Sequence, residues 1–506
     1  MDSYLADLGA ALSTLNSLTI ILSILAGVAV GIVLGALPGF GSSQALALLF
    51  PVTFAMTVDQ AVLFLIAVYS AVEYGSSIPA ILIRTPGTGA SAVTVLDGYA
   101  MARQGLARRA LRISLYSGVI GGTTSTIIFI VAGTSLGYVA LAFGPGELFA
   151  VGVFGLAIVG GFFGKDAARG FLAVGIGLLF ATVGSSGFGG LRFTFNQGYL
   201  MDGIPLVVVI IGFLAGPEAF RLLVDNRRTA SGEAITDSSE QKARNRITRA
   251  DVKLLIPTWI RGSLLGTLAG AIPGAGGSVG ALLAYSEEKR WSKRPEKFGT
   301  GIPEGVVASE AGNSATAGGG LIPMIALGIP GSAVDAILMA SLMVHGISVG
   351  PRLIMDNADL VYGMFIAMVV SSLMMLVICV FSMRFFLKVT DIPKWLIVPA
   401  VIVCCVVGSF ALNNRLTDLY LLGFIGLAGY ALKSLDYPLA PLVLGVILGP
   451  IAETNLRRAL MTENDWTVFL TRPISLLFLL AAVASVAWAI RKHRRSKTTA
   501  RETVSE

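Results

Sequence analysis

Long apolar stretches separated by short polar segments run along nearly the whole chain. A helix needs roughly 20 apolar residues to cross the hydrocarbon core of a bilayer, so each stretch is a candidate span. In the first half the stretches cover about 18–37, 60–83, 112–134, 140–163, 170–188 and 204–225, with a shorter piece at 41–57 that could cross or re-enter. In the second half they cover about 254–285, 305–345, 360–388, 395–413, 418–433, 438–452 and 468–490. This pattern predicts an all-α polytopic membrane protein with about 12 transmembrane helices.

The composition excludes several other classes of protein. Of the 506 residues, 55% are hydrophobic and 13% are charged, whereas soluble domains carry roughly 25% charged residues. A soluble enzyme or a fibrous protein therefore does not fit. Cys379, Cys404 and Cys405 lie in apolar segments without metal-ligand spacing, and the chain has only 2 histidines. We expect no cofactor apart from a coupling cation, Na⁺ or H⁺.

The net charge of +7 is concentrated in clusters at 103–112, 221–253, 289–297 and 491–497. Short basic loops mark the cytoplasmic face of a membrane protein, so this charge indicates topology and not a nucleic-acid surface. The N-terminus is expected outside the cytoplasm, and the C-terminus inside it. The predicted domains are a first membrane repeat (1–225), a cytoplasmic linker (226–253), a second membrane repeat (254–490) and a basic tail (491–506).

The two halves of the chain resemble each other. Residues 27–43 align with residues 262–278 at eight of 17 positions, and residues 78–87 align with residues 322–331 at five of ten. The loop at 50–60 has no Lys or Arg, while its counterpart at 286–297 has five. The loops at 99–112 and 346–359 have four and one. Because basic loops are cytoplasmic, corresponding loops fall on opposite sides of the membrane, which predicts an inverted-topology repeat.

Each half carries two Pro-Gly dipeptides inside or beside apolar stretches, beginning at Pro38, Pro86, Pro273 and Pro330. Proline removes a backbone donor and glycine permits positive φ, so these dipeptides predict discontinuous or re-entrant helices. The N–H groups of a broken helix bind anions without a dedicated cation, and exposed carbonyls suit Na⁺. The alternative is that they are proline kinks and glycine packing faces. Glycines 27, 31 and 35, spaced four apart, are better explained as helix contacts.

Ionisable residues in apolar segments are the next candidates. Glu73 and Glu310 occupy equivalent places in the two halves and are candidates for a coupling-ion site or a proton relay, unless they lie in water at an interface. Arg84 could face a substrate carboxylate or extend to the cytoplasmic interface. We interpret Asp97 and Asp335 as loop or cap residues.

The segments at 37–41, 74–87, 97–105, 287–299 and 319–332 resemble, in that order, the large membrane subunit of the tripartite tricarboxylate transporters. The resemblance extends from about residue 20 to past residue 450. It implies a bacterial inner-membrane symporter driven by a Na⁺ or H⁺ gradient. It also implies two partners, a small four-helix membrane subunit and a periplasmic solute-binding protein that delivers citrate or another carboxylate.

Carried over position by position, the resemblance implies a substrate-binding set. With Arg84 added, the set is Pro38, Gly39, Gly41, Ser42, Ser43, Gly75, Ser76, Ser77, Arg84, Pro86, Gly87, Pro273, Gly274, Gly276, Ser278, Asn313, Ser314, Pro330, Gly331 and Ser332. The chain departs from the family pattern at three positions. Arg84 stands where the family has an uncharged Asn, and Ser309 and Ser314 replace a Pro and an Asn. The extra cation indicates altered anion selectivity.

The function that we predict from the sequence is cation-coupled uptake of tricarboxylates or related carboxylates. A passive anion channel and a carrier that works without a binding protein remain alternatives. Internal inverted duplication favours a carrier, because channels tend to arrange like repeats in a ring around a pore. The sequence has no paired His or His-Glu metal motif, so we do not expect an enzyme.

Overall fold

The computed structural model describes residues 9, 17–37, 40–140, 143–162, 167–186, 190–224, 245, 247–389 and 394–505. Pro38 and Gly39, two of the predicted site residues, lie outside the described residues, as does most of the linker predicted at 226–253. The part of the chain that the structure describes is mostly helical, which confirms the all-α class.

The helices of the first half are interrupted at the positions that matter for the site. They are α1 (Leu18–Gly35), α2 (Ser42–Leu49), α3 (Val58–Gly75), α4 (Ser77–Ile83), α5 (Gly89–Met101), α6 (Ala107–Ala140), α7 (Pro145–Phe162), α8 (Ala167–Ala181), α9 (Leu206–Ile210) and α10 (Gly216–Val224). Short 3₁₀ helices follow α2 (Phe50–Ala55) and precede α9 (Gly198–Leu200), and π-helical turns follow α5 (Ala102–Leu106) and α9 (Ile211–Ala215). Two strands, β1 (Gly184–Ser185) and β2 (Leu191–Arg192), pair antiparallel.

The second half begins with a helix that Thr248 and Asp251 cap. Its helices are α11 (Arg249–Gly270), α12 (Gly276–Trp291), α13 (Pro303–Leu327), α14 (Ala333–Val344), α15 (Leu353–Asp356), α16 (Ala358–Val389), α17 (Lys394–Asn413), α18 (Leu416–Ser434), α19 (Leu439–Glu463), α20 (Val468–Thr471) and α21 (Pro473–Ser505). A 3₁₀ helix, Pro295–Lys297, lies between α12 and α13.

Seven helical segments among the described residues are long and apolar enough to cross a membrane. They are Leu18–Gly35, Val58–Ile83, Gly89–Val131, Ala358–Met383, Leu416–Ser434, Leu439–Glu463 and Pro473–Arg491. Large apolar side chains on several of these segments are exposed, for example Val131, Phe381 and Tyr420. A soluble protein would not leave such surfaces open to water, whereas a lipid environment solvates them. The chain is thus a multi-pass membrane protein, while the number of twelve spans stays a prediction.

Helix α1 packs directly on α3 through a face of glycines. A Cβ atom added to Gly31 would lie 2.8 Å from the Val68 carbonyl oxygen, and one added to Gly35 would lie 2.7 Å from that of Val72. The two backbones are therefore in contact, as the glycine spacing predicts, because small residues allow membrane helices to approach closely. This contact positions Glu73, which lies on α3 within one turn of Gly75.

Helix α11 packs on α13 in the same manner. A Cβ atom added to Gly270 would lie 2.5 Å from the Thr316 carbonyl oxygen, and one added to Gly262 would lie 3.2 Å from the Ala311 Cβ. The glycine-lined contact therefore occurs once in each half, at the aligned residues. The relative membrane orientation of the halves stays a prediction.

Three stretches that are continuously apolar in the sequence are broken in the structure. The stretch at 60–83 is interrupted at Ser76, the stretch at 254–285 at 271–275, and the stretch at 305–345 at 328–332. Gly274 has φ +82° and Gly328 has φ +70°, values that side chains other than glycine rarely adopt. The stretch at 170–188 also differs from expectation, because its helix ends at Ala181 and β1 follows. The piece at 41–57 contains α2, whose eight residues span only about 12 Å and cannot cross a bilayer.

Candidate functional site

A cavity of about 390 Å³ lies where the broken helices meet. Four chain segments line it, and each contains the N-terminus of a helix: 41–44 at α2, 87–90 at α5, 274–279 at α12 and 332–334 at α14. Tyr69 and Glu73 from α3, Asn313 from α13 and Ala440 from α19 complete the lining. Gly87 and Gly274, from two of the four predicted Pro-Gly dipeptides, line the cavity directly. The other two dipeptides are followed in the chain by residues that line it, Gly41 and Ser332.

The four helix N-termini place partial positive charge around the cavity. Each helix N-terminus carries roughly half an elementary positive charge, and its first N–H groups have no partner within the helix. Helices α2 and α12 have no side-chain cap, since their N-cap residues are Gly41 and Ala275. The cavity lining contains neither Lys nor Arg among the described residues. The available donors for an anion are therefore backbone N–H groups and uncharged side chains such as Ser43 and Ser278.

At α5 and α14 the caps are hydroxyl side chains. The Thr88 hydroxyl accepts a hydrogen bond from the Ser91 backbone N–H at 3.0 Å. The Ser332 hydroxyl accepts one from the Asp335 backbone N–H at 3.2 Å. Thr88 and Ser332 also line the cavity, so hydroxyl groups accompany two of the four helix starts.

The breaks contact one another within each half. In the second half the Gly274 backbone N–H donates a 2.8 Å hydrogen bond to the Gly331 carbonyl oxygen. In the first half a Cβ atom added to Gly87 would lie 2.6 Å from the Phe40 carbonyl oxygen. Non-helical backbone inside a membrane needs such protein partners, and glycine lets the two chain segments approach closely enough to provide them.

Glu73 is the acidic residue at the cavity. Its side chain is 7% exposed, and its Oε1 accepts a 2.6 Å hydrogen bond from the Ser42 hydroxyl on α2. Its Oε2 is buried without a hydrogen-bond partner among the described residues. The Asn313 amide lies beside this carboxylate. Glu73 therefore presents a buried carboxylate oxygen at the cavity.

Glu310, the equivalent residue of the second half, has a different environment. Its Oε1 accepts hydrogen bonds from the hydroxyls of Thr94 and, at 2.7 Å, Ser77. Its Oε2 accepts one from the Ser114 hydroxyl at 2.8 Å. Glu310 does not line the cavity. This carboxylate is fully hydrogen-bonded and connects α13 to α4, α5 and α6.

The structure brings together about half of the substrate-binding residues predicted from the sequence. The predicted residues that line the cavity are Gly41, Ser42, Ser43, Gly87, Gly274, Gly276, Ser278, Asn313 and Ser332. Those that are described and lie outside the lining are Gly75, Ser76, Ser77, Arg84, Pro86, Pro273, Ser314, Pro330 and Gly331. Of the second group, Gly75 packs on Gly35, and Ser77 donates a hydrogen bond to Glu310.

Of the predicted substrate-binding residues, Arg84 has the surroundings that fit this role least well. It ends α4 in the left-handed conformation with φ +57°, and its guanidinium carbon lies 6.0 Å from the centre of the Tyr99 ring. The cavity lining does not include it. A cation over an aromatic ring is an attractive arrangement in itself, so Arg84 has a contact that does not require a substrate.

Four polar residues at or beside the cavity were absent from the predicted substrate-binding and coupling-ion sets: Gln44, Tyr69, Thr88 and Asp335. Gln44, Tyr69 and Thr88 line the cavity, and Asp335 lies on the first turn of α14. The interpretation of Asp97 as a loop or cap residue needs correction, because Asp97 lies inside α5 and its carboxylate binds backbone N–H groups of residues 299–302. The position of Asp97 and of Asp335 within an apolar segment was the sequence feature that could have identified both residues.

These features define the class of protein as a multi-pass membrane protein whose broken helices line a cavity with four helix N-termini. A model of the "Tripartite tricarboxylate transporter TctA family" matches residues 21–444. The chain belongs to this family of transporters, as the resemblance in its motifs indicated. Membership supports a role as the large subunit of a tripartite tricarboxylate transporter.

Two proteins of Agrobacterium vitis are similar to this chain. An "Uncharacterized 52.8 kDa protein in TAR-I ttuC' 3'region" is 34% identical over 474 residues, which cover 93% of each chain. An "Uncharacterized protein in TAR-II ttuC' 3'region" is 34% identical over 233 residues, which cover 46% of this chain and 96% of the relative. No solved structure matches the chain.

Proposed function

We propose that this protein imports tricarboxylates or related carboxylates by secondary transport, with Na⁺ or H⁺ as the co-transported cation. The observation that carries the proposal is the convergence of four helix N-termini on one cavity of about 390 Å³ that contains no basic side chain among the described residues. Backbone N–H groups and the hydroxyls of Ser43, Thr88, Ser278 and Ser332 would bind the substrate carboxylates.

The energetics of the transported charge support cation coupling. Moving an anion into a negative-inside cell costs roughly 2.3 kcal/mol per charge per 100 mV, so a tricarboxylate faces a large barrier. Co-transported cations offset this cost. Glu73, buried at the cavity with an unpartnered oxygen, is the residue on which such a cation would first depend.

Family membership extends the proposal to partners and location. The protein would act in the bacterial inner membrane with a small four-helix membrane subunit and a periplasmic solute-binding protein. The clusters of basic residues support a periplasmic N-terminus and a cytoplasmic C-terminus. The glycine-packed helix pair and the paired breaks found in each half support an internal repeat. The unequal charges of corresponding loops support its inversion, which would be the basis of alternating access.

Reconstituted vesicles test the proposal. The protein is inserted with the small membrane subunit, the solute-binding protein is added outside, and uptake of radiolabelled di- and tricarboxylates is measured under an inward Na⁺ gradient, an inward H⁺ gradient, or neither. We expect saturable accumulation that requires one of the two gradients.

Two outcomes would favour the alternatives. Uptake that does not saturate and is indifferent to both gradients would indicate a passive anion channel. Gradient-driven uptake at full rate without the solute-binding protein would indicate a carrier that works alone.

A further inference from the structure

We propose that the cavity binds a short dicarboxylate, with one carboxylate at each of two equivalent subsites, one formed by each half of the chain. The first subsite consists of the N-termini of α2 and α5, and the second subsite consists of the N-termini of α12 and α14. The inference rests on the proposed function and narrows its substrate class to acids with two carboxylates.

The repeat in the sequence relates the two subsites. The alignment of 27–43 with 262–278 pairs Ser43 with Ser278. The alignment of 78–87 with 322–331, continued by one residue, pairs Thr88 with Ser332. All four of these residues line the cavity. Each half therefore supplies two helix N-termini and two hydroxyl side chains, in the same order along the chain.

Within each half the two helix N-termini are in contact. In the first subsite a Cβ atom added to Gly41, the N-cap residue of α2, would lie 3.0 Å from the Gly87 carbonyl oxygen, just before α5. In the second subsite a Cβ atom added to Gly276, the first residue of α12, would lie 3.5 Å from the Cβ of Ser332, which caps α14. Because a carboxylate has two acceptor oxygens, one carboxylate can bind both helix N-termini of a subsite.

The caps leave the same kind of donors free in both subsites. No side chain caps α2 or α12, so the first N–H groups of these helices are available to a ligand. The other helix of each subsite, α5 or α14, has a hydroxyl cap, Thr88 or Ser332. Each subsite thus combines one uncapped helix with one hydroxyl-capped helix.

The two subsites adjoin each other, which favours a short acid. A Cβ atom added to Gly89 on α5 would lie 3.1 Å from the Ser278 Cβ on α12. The first turns of one helix from each half therefore meet at the cavity. Two carboxylates joined by a few carbon atoms can occupy both subsites at once.

Asn313 is an independent sign of a ligand at the second subsite. Its side chain is 1% exposed, and neither its Oδ1 nor its Nδ2 forms a hydrogen bond with a described residue. Its Cγ lies 3.6 Å from a Cβ atom added to Gly277, in the first turn of α12, and both residues line the cavity. A buried amide without partners is costly, and a substrate carboxylate would accept a hydrogen bond from its Nδ2.

The charge balance favours two carboxylates over three. The four helix N-termini together contribute roughly +2, which a dianion matches. Glu73 adds a negative charge beside the first subsite, since it accepts the 2.6 Å hydrogen bond of Ser42 in the first turn of α2. The coupling cation of the proposed function would balance this charge. A third carboxylate would then have neither a helix N-terminus nor a cation to offset its desolvation.

Equilibrium binding to the purified full-length protein in lipid nanodiscs, without the solute-binding protein, tests the subsites, because no other subunit then selects the substrate. Three radiolabelled acids share the propane skeleton: butyrate has one carboxylate, glutarate has two and tricarballylate has three. With Na⁺ present at neutral pH, where these carboxyl groups are ionised, we expect glutarate to bind about tenfold or more tightly than either of the other two.

Two matched variants test the equivalence of the subsites. Ser43→Ala removes a hydroxyl from the first subsite, and Ser278→Ala removes its counterpart from the second. We expect each to weaken glutarate binding about tenfold, because a hydrogen bond to a charged group is lost. Butyrate binding should weaken much less, because a monocarboxylate keeps the other subsite. Ser434→Ala, exposed at the end of α18, is the control and should bind glutarate as the wild type does.

Butyrate or tricarballylate that binds as tightly as glutarate, or an unchanged glutarate affinity in Ser278→Ala, would overturn the two subsites. Preferred binding of tricarballylate together with gradient-driven uptake of tricarboxylates would reject the dicarboxylate and keep the proposed function. Preferred binding of glutarate in a protein that accumulates no carboxylate in vesicles would do the reverse. If none of the three acids binds, the subsites are wrong, and if vesicles also accumulate no carboxylate, the proposed function is wrong as well.

Discussion

The Ser42 hydroxyl donates a 2.6 Å hydrogen bond to the Glu73 carboxylate, across 31 positions of sequence. Ser42 is the first residue of α2, and Glu73 lies near the C-terminal end of α3. The bond thus connects the start of a short broken helix to the buried acid at the cavity. It fixes one carboxylate oxygen of Glu73 and leaves the other for a ligand.

Ser42→Ala should weaken the dependence of uptake on the cation. A hydrogen bond to a charged group contributes roughly 1.5–3 kcal/mol, and its loss leaves the Glu73 carboxylate without the donor that orients it. We expect the apparent KM for the coupling cation to rise about tenfold or more in vesicle uptake. In Ser43→Ala the lost hydroxyl contacts Gln44 and not Glu73, so the apparent KM for the carboxylate should change instead. An unaltered cation dependence in Ser42→Ala would contradict this role.

Gly89→Ala should narrow the cavity and reduce carboxylate uptake. A Cβ atom added to Gly89 would lie 3.1 Å from the Ser278 Cβ and closer to its Oγ, where α5 and α12 face each other across the cavity. We expect a loss of about tenfold in kcat/KM for the carboxylate, with Na⁺ binding retained. Ser278→Gly removes both the contacted side chain and a proposed substrate ligand, so it is the reference for the double variant. Gly89→Ala/Ser278→Gly should lose little further activity relative to Ser278→Gly alone, and a further loss of about tenfold would show that the effect of Gly89→Ala is not steric.

Gly31→Ala should destabilise the membrane-embedded fold. Its new methyl group would lie 2.8 Å from both the Val68 carbonyl oxygen and the Ala71 Cβ, so α1 and α3 would have to separate. Overpacking of this kind costs about 1–3 kcal/mol, and we expect a lower unfolding temperature of the detergent-solubilised protein. Gly363→Ala, which meets open space, should unfold as the wild type does. Equal unfolding temperatures for the two variants would contradict the close contact.

Asp97, like Glu310, connects the two halves of the chain through side-chain hydrogen bonds. Its Oδ1 accepts hydrogen bonds from the backbone N–H groups of Gly299, Gly301 and Ile302, at 2.8–2.9 Å. Its Oδ2 accepts a 2.8 Å hydrogen bond from the Tyr285 hydroxyl. The side chain is 1% exposed. A carboxylate can accept all four bonds because it has acceptor sites on both oxygens.

Asp97→Asn should release the segment before α13. The amide has one oxygen, and its NH₂ group faces a donor where the carboxylate had an acceptor, so the variant loses charge-assisted bonds worth about 1.5–3 kcal/mol each. We expect faster tryptic cleavage at the exposed Lys293 and Lys297, together with a lower unfolding temperature. Tyr285→Phe removes only one of the four bonds and should have a smaller effect on both measurements. Cleavage at the wild-type rate in Asp97→Asn would contradict the role of Asp97 in holding this segment.

The glycine contacts and the helix breaks follow from local sequence. Glycines at spacings of four lie on one helix face whatever the partner, so their packing role could be predicted at residues 27, 31 and 35. Proline and glycine side by side interrupt a helix for reasons that lie within the backbone itself. The family motifs lie on these same segments, so the resemblance pointed to segments that line the cavity.

The two glutamates show what local sequence could not decide. Glu73 and Glu310 occupy aligned positions, yet one carboxylate has a free oxygen at the cavity and the other has hydroxyl donors on both oxygens. Those donors, Ser77, Thr94 and Ser114, lie on three other helices and about 200 positions away in sequence. The difference therefore arises from packing between distant segments.

The sequence by itself determined that this chain is a helical, multi-pass membrane protein of the tripartite tricarboxylate transporter TctA family, with helices broken at glycine and proline. These properties depend on hydropathy and on the conformational limits of single residues. Only the tertiary structure decided which side chains reach the cavity: it includes Asn313, leaves Arg84 over Tyr99, and places the Asp335 carboxylate against Gly320. The reason is that helix rotation and depth set these positions, and both are fixed by contacts between segments far apart in the chain.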